Sequence, residues 1–359
     1  MAFCGCCSTE ALFNRIVFLR IFLIRIRFAE MGGIRVSFSG TGSQKAVAQK
    51  TVANRVACTG VGLHSGADIR LALLPAPPNS GIVFWRRDLG EQGDPRVMIP
   101  ARYDYATETP LCTTIANEHG ASVATIEHLM AALAGCEIDN VVVEIDGPEV
   151  PAMDGSAEPF VFLIEMAGVL HQAAERRYLR ILRDIELTDG ERRVSLRPYE
   201  GFSLSFDIAF TAGAIGEQSC TLDFTDGTFK TELARARTFC MAGEIEMMKS
   251  NGLARGGSLN NAVVVDGDAV INPEGFRLPD ECVRHKALDA FGDLYLCGGP
   301  IIGAYHGVRS GHALNNRLLR HLMAREDAWC WVTASQDAAV LAEKMPALAA
   351  LGTGKLAVH

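Results

Sequence analysis

The sequence predicts an α+β protein made of two similar layered domains, and three observations point to it. Strand-like and helix-like periodicities both occur, each half running from strands to helices. The chain has 359 residues, enough for two domains at roughly 150 residues each. A polar stretch at 170–176, including His171, Gln172, Glu175 and Arg176, places a boundary near 175. The expected domains are therefore 50–175 and 176–345, with a tail at 346–359 and a leader at 1–49 that lies outside the pattern.

Residues 51–58 read as a strand, followed by the glycine-rich turn Thr59–Gly66. Residues 68–74 alternate with period two. Pro75, Pro77 and Pro78 close that strand, and the next begins at Gly81. Within 124–135, Ile126, Leu129, Met130 and Leu133 recur at i, i+3, i+4 and i+7, a helical stripe that ends at Gly135. A buried strand follows at 140–145, then a loop at 151–156 and a helix at 160–167. Beyond the boundary come strands at 178–182, 193–198, 203–210 and 219–224, a mixed region, and helices near 281–296 and 313–324.

Composition is that of an ordinary globular protein, 48% hydrophobic and 21% charged. The net charge of −8 argues against a nucleic-acid partner held by phosphate neutralisation. Residues 1–49 carry six basic side chains against Glu10 and Glu30, so an acidic body follows a basic leader. Apart from Cys4, Cys6 and Cys7 the cysteines stand singly, the pattern of reduced thiols in a cytosolic compartment. In the leader, 12–28 is apolar but interrupted by four arginines, a poor membrane span and a poor secretory signal. An over-extended start, with Met31 the initiator, ranks first among its readings. An organelle-targeting or surface-binding segment ranks second. No integral membrane segment is expected, and monomer is the default state.

Three histidines sit in informative company. His128 opens the predicted helix at 124–135 with Glu127 beside it, and His285 and Asp289 stand at i, i+4. On a helix that spacing puts both on one face, with Asp293 a turn further along it. A lone His-x-x-x-Asp is more often a surface pair or a satisfied buried couple than a metal site. Here both histidines lie in otherwise apolar helices, where an unpaired polar group costs a few kcal/mol. Two imidazoles, a carboxylate and an open fourth position form the ligand set of a catalytic zinc site, with iron(II) the runner-up. Metal lowers the pKa of bound water to about 7, and Glu127 is placed to take its proton, as the glutamate of HExxH enzymes does. A departing amine needs a general acid. The candidate is His312, in the small-residue turn Ser310-Gly311-His312, with Asp293 as its orienting partner.

These residues fall in stretches that resemble the UDP-3-O-acyl-N-acetylglucosamine deacetylase family, the zinc enzymes of the committed step of lipid A synthesis. The stretches are TGVGLHSG (Thr59–Gly66), TIEHL (Thr125–Leu129), IDNVVV (Ile138–Val143), MDGS (Met153–Ser156), RARTF (Arg235–Phe239), GGS (Gly256–Ser258), VRHKALDAFGD (Val283–Asp293) and SGHALNN (Ser310–Asn316). The resemblance implies a duplicated sheet-and-helix sandwich, each half with an insert and the active site between the halves. It implies one zinc per chain on His128, His285 and Asp289, with Glu127 as base, His312 as acid and Asp293 as the partner of that acid. Thr238 would stabilise the oxyanion. Phe239 and Lys286 would contact the sugar and diphosphate of an acylated UDP-sugar, and Leu111 and Cys112 would line the substrate cleft. The second insert, near 240–270, would form the acyl passage. Its apolar residues Met241, Ile245, Met248, Leu253, Val263 and Val264 serve equally well as core. Departures from the family pattern are Pro110, which bears on the cleft wall, and Met241-Ala242, where larger side chains are usual, which bears on acyl-length preference.

Two other functions fit parts of the pattern. A zinc amidase for a different acylated amine would keep the metal but lose the UDP-sugar. A catalytically dead sugar-nucleotide-binding module would need Glu127 or His312 to be missing, and both are present. The expected location is the cytoplasm, with organelle targeting by the leader as the variant reading.

Overall fold

The computed structural model describes residues 46–107 and 111–337, all within one compact unit. Strands β1 (Ala48–Val52), β2 (Val56–Val61), β3 (Asp68–Pro75), β4 (Ile82–Arg86) and β5 (Met98–Pro100) come first. Short strands β6 (Ala106–Thr107), β7 (Thr114–Ala116) and β8 (Ser122–Val123) lead to helix α1 (Glu127–Gly135). Strand β9 (Val141–Ile145), helix α2 (Glu158–Ala167) and strand β10 (Val169–Glu175) follow.

The second half repeats the scheme. Strands β11 (Arg177–Ile181), β12 (Ile185–Asp189), β13 (Arg192–Arg197), β14 (Phe202–Ala209) and β15 (Glu217–Asp223) precede a smaller group. That group is β16 (Phe239–Met241), helix α3 (Ile245–Ser250), β17 (Val263–Asp266) and β18 (Ala269–Val270). Helix α4 (Glu281–Leu294), strand β19 (Ile301–Val308), helix α5 (His312–Met323) and strand β20 (Trp329–Thr333) complete the described chain.

The first large sheet has the order β2-β3-β9-β4-β5, with β9 antiparallel to β3 and parallel to β4. In the second, β12-β13-β19-β14-β15 reproduces that order, with β19 antiparallel to β13 and parallel to β14. β11 and β20 extend that sheet beside Ile301 and Ile302. In both halves the central strand lies between two helices in the chain, and a small three-stranded sheet (β6–β8 or β16–β18) interrupts the path before the first helix. The α+β class stands, and the repeat is visible in the strand order itself.

Helix α1 is buried on every side from Glu127 to Ala134, so it belongs between elements rather than on a surface. It meets α4 at Gly292. A Cβ at that position would lie 2.1 Å from the carbonyl oxygen of Glu127 and 3.0 Å from the amide nitrogen of Ala131. Glycine is what allows the two helices to approach so closely where the chemistry sits.

Several local readings shift. The strand expected at 51–58 is two strands, bent where Ala53 and Asn54 donate to the carbonyls of Gly168 and Ala167. The polar stretch at 170–176 is the strand β10, antiparallel to β1. Its polarity is that of a ladder largely open to solvent. Helix α1 starts at Glu127 instead of 124, because Thr125 has a left-handed backbone (φ +56°). β1 begins at Ala48, inside the stretch set aside as a leader. The eight cysteines among the described residues are scattered singly, four of them buried. Among those residues no helix is long and apolar enough to cross a membrane. The leader through Lys45, Pro110 and the tail at 346–359 lie outside the described residues.

Candidate metal centre

Thr125 is β-branched and left-handed, a conformation costing about 1–3 kcal/mol that persists only where surroundings enforce it. The enforcement comes from Glu149, a buried carboxylate that accepts the Thr125 hydroxyl at 2.9 Å. The same carboxylate accepts the backbone N–H groups of His64 and Ser65, so it ties the Thr59–Gly66 turn to the start of α1. The turn at Thr125 places Glu127 and His128 in the first turn of the helix, both buried.

On α4, His285 and Asp289 share a face, as their spacing predicts. The Nε2 atoms of His128 and His285 each lie 3.4 Å from Oδ1 of Asp289. One ligand atom from each of the three residues falls within 4.8 Å of the others. The imidazole rings stand edge to face, 4.9 Å between centroids. Nδ1 of His285 is 3.1 Å from the carbonyl oxygen of Ala236. A carbonyl only accepts, so Nδ1 carries the proton and Nε2 presents its lone pair inward. Burial above all drives the His285 imidazole down to about 3, against the pull of Asp289, so the ring is neutral, as a ligand must be.

Asp289 splits its two oxygens. Oδ2 accepts the Lys286 ammonium at 2.7 Å, while Oδ1 is buried with no hydrogen-bond partner. Burial alone would raise this carboxyl, but His285 and Lys286 outweigh it and hold it well below the usual carboxylate range. An ionised oxygen without a donor costs at least about 1–3 kcal/mol. A cation facing the His285 lone pair, the His128 imidazole and that oxygen would supply the missing partner, so the donor set fits a divalent metal.

Across the cleft, Nε2 of His312 lies 3.8 Å from Oε1 of Glu127 and 3.8 Å from Oδ2 of Asp289. His312 is the first residue of α5, entered through an extended Gly311. Its Nδ1 meets Oδ2 of Asp293 at 3.0 Å. Burial opposes the charged imidazole, yet Asp293 and Glu127 overcome it and lift His312 to about 9. Burial pushes the Glu127 carboxyl up, against the attraction of His312 and His128.

A cleft of 240 Å³ joins these groups. Of the residues singled out in the sequence, Leu111, Glu127, His128, Thr238, Phe239, His285, Lys286, Asp289 and His312 all line it. Asp293 is fully buried and reaches the cleft through His312. Cys112, expected to line the cleft, is instead buried outside its lining, with its sulfur 3.7 Å from the Thr114 hydroxyl. In the second insert Val263 and Val264 are core, whereas Met241 lines the cleft. Gly256 brings this insert against the Thr59–Gly66 turn, since a Cβ there would stand 2.3 Å from the carbonyl oxygen of Gly62. Contributors that carried no role in the sequence reading include His64 and Phe210, which line the cleft, and Glu149, which holds Thr125. His64 sat in a quoted motif; Glu149 had no signal, because its partners are distant in the chain.

Comparison with known proteins identifies relatives over most of the chain. The model of the family described as UDP-3-O-acyl N-acetylglycosamine deacetylase matches residues 49–324. The chain is 48% identical over 294 residues to a protein of Shewanella sp. (strain W3-18-1) named UDP-3-O-acyl-N-acetylglucosamine deacetylase. A protein of the same name from Shewanella baltica (strain OS155 / ATCC BAA-1091) gives the same identity over the same length. Each alignment covers 81% of this chain and 95% of the relative.

Proposed function

The chain belongs to the UDP-3-O-acyl N-acetylglycosamine deacetylase family, and on that premise we propose that His128, His285 and Asp289 hold one zinc ion at the reacting amide. The enzyme hydrolyses the N-acetyl group of UDP-3-O-acyl-N-acetylglucosamine, releasing acetate and the free amine. By family kinship this is the committed step of lipid A synthesis. The observation that carries the residue assignment is the convergence of two imidazole Nε2 atoms on the orphaned Oδ1 of Asp289.

A zinc ion held there supplies a Lewis acid that polarises an amide carbonyl and makes water more acidic. Two imidazoles with one carboxylate favour zinc over magnesium or calcium. Glu127 takes the proton of the attacking water on Oε1, the oxygen that faces the cleft. His312 delivers a proton from Nε2 to the departing nitrogen, while Asp293 holds its Nδ1. The Glu127 carboxylate and the His312 imidazole stand 3.8 Å apart, close enough for base and acid to serve one amide. The Thr238 hydroxyl, on the cleft wall, donates to the developing oxyanion. Phe239 stands edge-on to His285 at 6.3 Å and packs against Phe210, offering an apolar face to the sugar. Lys286 and Leu111 complete the substrate wall, and Cys112, next to Leu111 in the chain, is buried behind it in this reading.

The half boundary near 175, the acyl passage through β16–β18 and α3, a monomeric state and a cytoplasmic location belong to the same reading. The repeated strand order supports the first, and Met241 at the cleft supports the second. The deciding experiment is deacetylation of the acylated UDP-sugar with and without a chelator, alongside metal analysis of protein purified without added zinc. Activity should vanish with chelator and return with zinc. Turnover indifferent to the chelator would remove the metal from the mechanism.

A further inference from the structure

Thr113 has no assigned role, is 0% exposed, and touches both carboxylates that serve the acid and the base. Its backbone N–H donates to Oε2 of Glu127 at 3.0 Å. Its hydroxyl donates to Oδ1 of Asp293 at 2.5 Å. A carboxylate oxygen accepts, so the hydroxyl is the donor there, while Asn316 Nδ2 approaches the same hydroxyl oxygen as a donor at 3.5 Å. The Thr113 carbonyl in turn accepts the Ile126 N–H at the threshold of α1. One small residue before β7 therefore connects α1, α4 and, through Asn316, α5.

We propose that Thr113 is a positioning residue that assigns the carboxylate oxygens of the site, leaving Oε1 of Glu127 and Oδ2 of Asp293 to His312. A carboxylate is nearly symmetric about its terminal torsion, which is broad and two-fold. Held at one oxygen, it presents the other in a single direction. With Oε2 of Glu127 engaged, Oε1 is the atom left facing Nε2 of His312. With Oδ1 of Asp293 engaged, Oδ2 serves His312 Nδ1 and Asn315 Nδ2 together. Asn315 is itself held by the Tyr305 hydroxyl at 2.7 Å. Every atom around Asp293 is thus set from two sides, and Thr113 is the side that the family motifs quoted above do not contain.

The inference rests on the reading of Glu127 and His312 as base and acid. Its test compares the zinc-loaded Thr113→Val, Thr113→Ser and Glu127→Ala enzymes on the acylated UDP-sugar. Valine keeps the shape and the backbone N–H but removes the hydroxyl; serine keeps the hydroxyl. Thr113→Val should lower kcat about 10- to 100-fold, the usual cost of losing a partner one step behind a site. KM and metal content should stay at wild-type values, and serine should restore most of the rate. If the valine variant does not fold, Thr113→Ala against Thr113→Ser carries the same comparison. A valine variant with normal kcat, a serine variant as slow as valine, or loss of metal in either overturns the inference. If Glu127→Ala is still impaired in that case, the reading of the site survives. A Glu127→Ala enzyme at full rate overturns both.

Discussion

Asp289 has a lysine hydrogen-bonded to one oxygen and, on the other, two imidazoles nearby but no hydrogen-bond partner, and the site's chemistry follows from that asymmetry. Replacing His285 by alanine should abolish metal binding, because only two of the three converging ligands remain; unchanged metal content would sink the ligand assignment. Glu127→Ala and His312→Ala should each slow turnover by at least about 100-fold with the metal retained, the low end of acid–base contributions. A variant with a near-normal rate would take that residue out of the mechanism. The imidazole of His312 carries a sign-definite prediction in the metal-free protein. It is raised from 6.5 to about 9, so its contribution to stability is complete below 6.5 and is lost as pH rises through about 9. Asp293→Asn removes the largest attraction and leaves burial opposed by Glu127 and Asp289, so an NMR titration should find the His312 midpoint well below about 9 in that variant. A midpoint that stays near 9 would mean Asp293 is not the cause. His128, His285 and Asp289 were legible in the sequence because helical spacing and apolar neighbours mark them. Thr113 and Glu149 were not, because an ordinary threonine and glutamate reveal their work only when partners far along the chain come to them.

Helices α1 and α4 bring the candidate ligands His128, His285 and Asp289 together, and the close approach of these helices relies on the missing side chain at Gly292. Gly292→Ala should destabilise the fold by about 1–3 kcal/mol as the helices are forced apart at the Glu127 carbonyl. Turnover should fall as well, since Glu127 and His128 move with α1. A variant with wild-type melting temperature and rate would show that the helices have room to give. At this scale the strongly periodic helices were read well and several strands were not. β10 escaped notice because a ladder exposed along much of its length has no apolar alternation to report. β19, central to the second sheet, contains Gly303 and Gly307 and follows Pro300, which dilute the very signal its position would produce. Thr125 shortened α1 at its start, since a left-handed residue fixed by a distant carboxylate is invisible to a period count.

The whole molecule is two copies of one strand order, and the site is drawn from both. Glu127 and His128 come from the first copy; His285, Asp289, Asp293 and His312 come from the second. The α+β class and a doubled arrangement could be read from the sequence, but the equivalence of β9 and β19 could not, because it lies in pairing rather than in composition. Metal that binds only the folded chain should stabilise it by about 2.7 kcal/mol at a free concentration one hundred times its dissociation constant. Thermal unfolding with and without chelator measures this, and identical curves would show that the three ligands hold no metal tightly.

The single orphaned oxygen of Asp289 has a consequence for the chain as a polymer. An ion gripped there by His128 and His285 closes a loop from position 128 to position 285, and so acts as a removable cross-link. A covalent bridge across so long a loop takes from the unfolded ensemble an entropy worth roughly 5 kcal/mol. Because its ligands come from both copies, such a bridge would tie one copy to the other as well as shorten the unfolded chain.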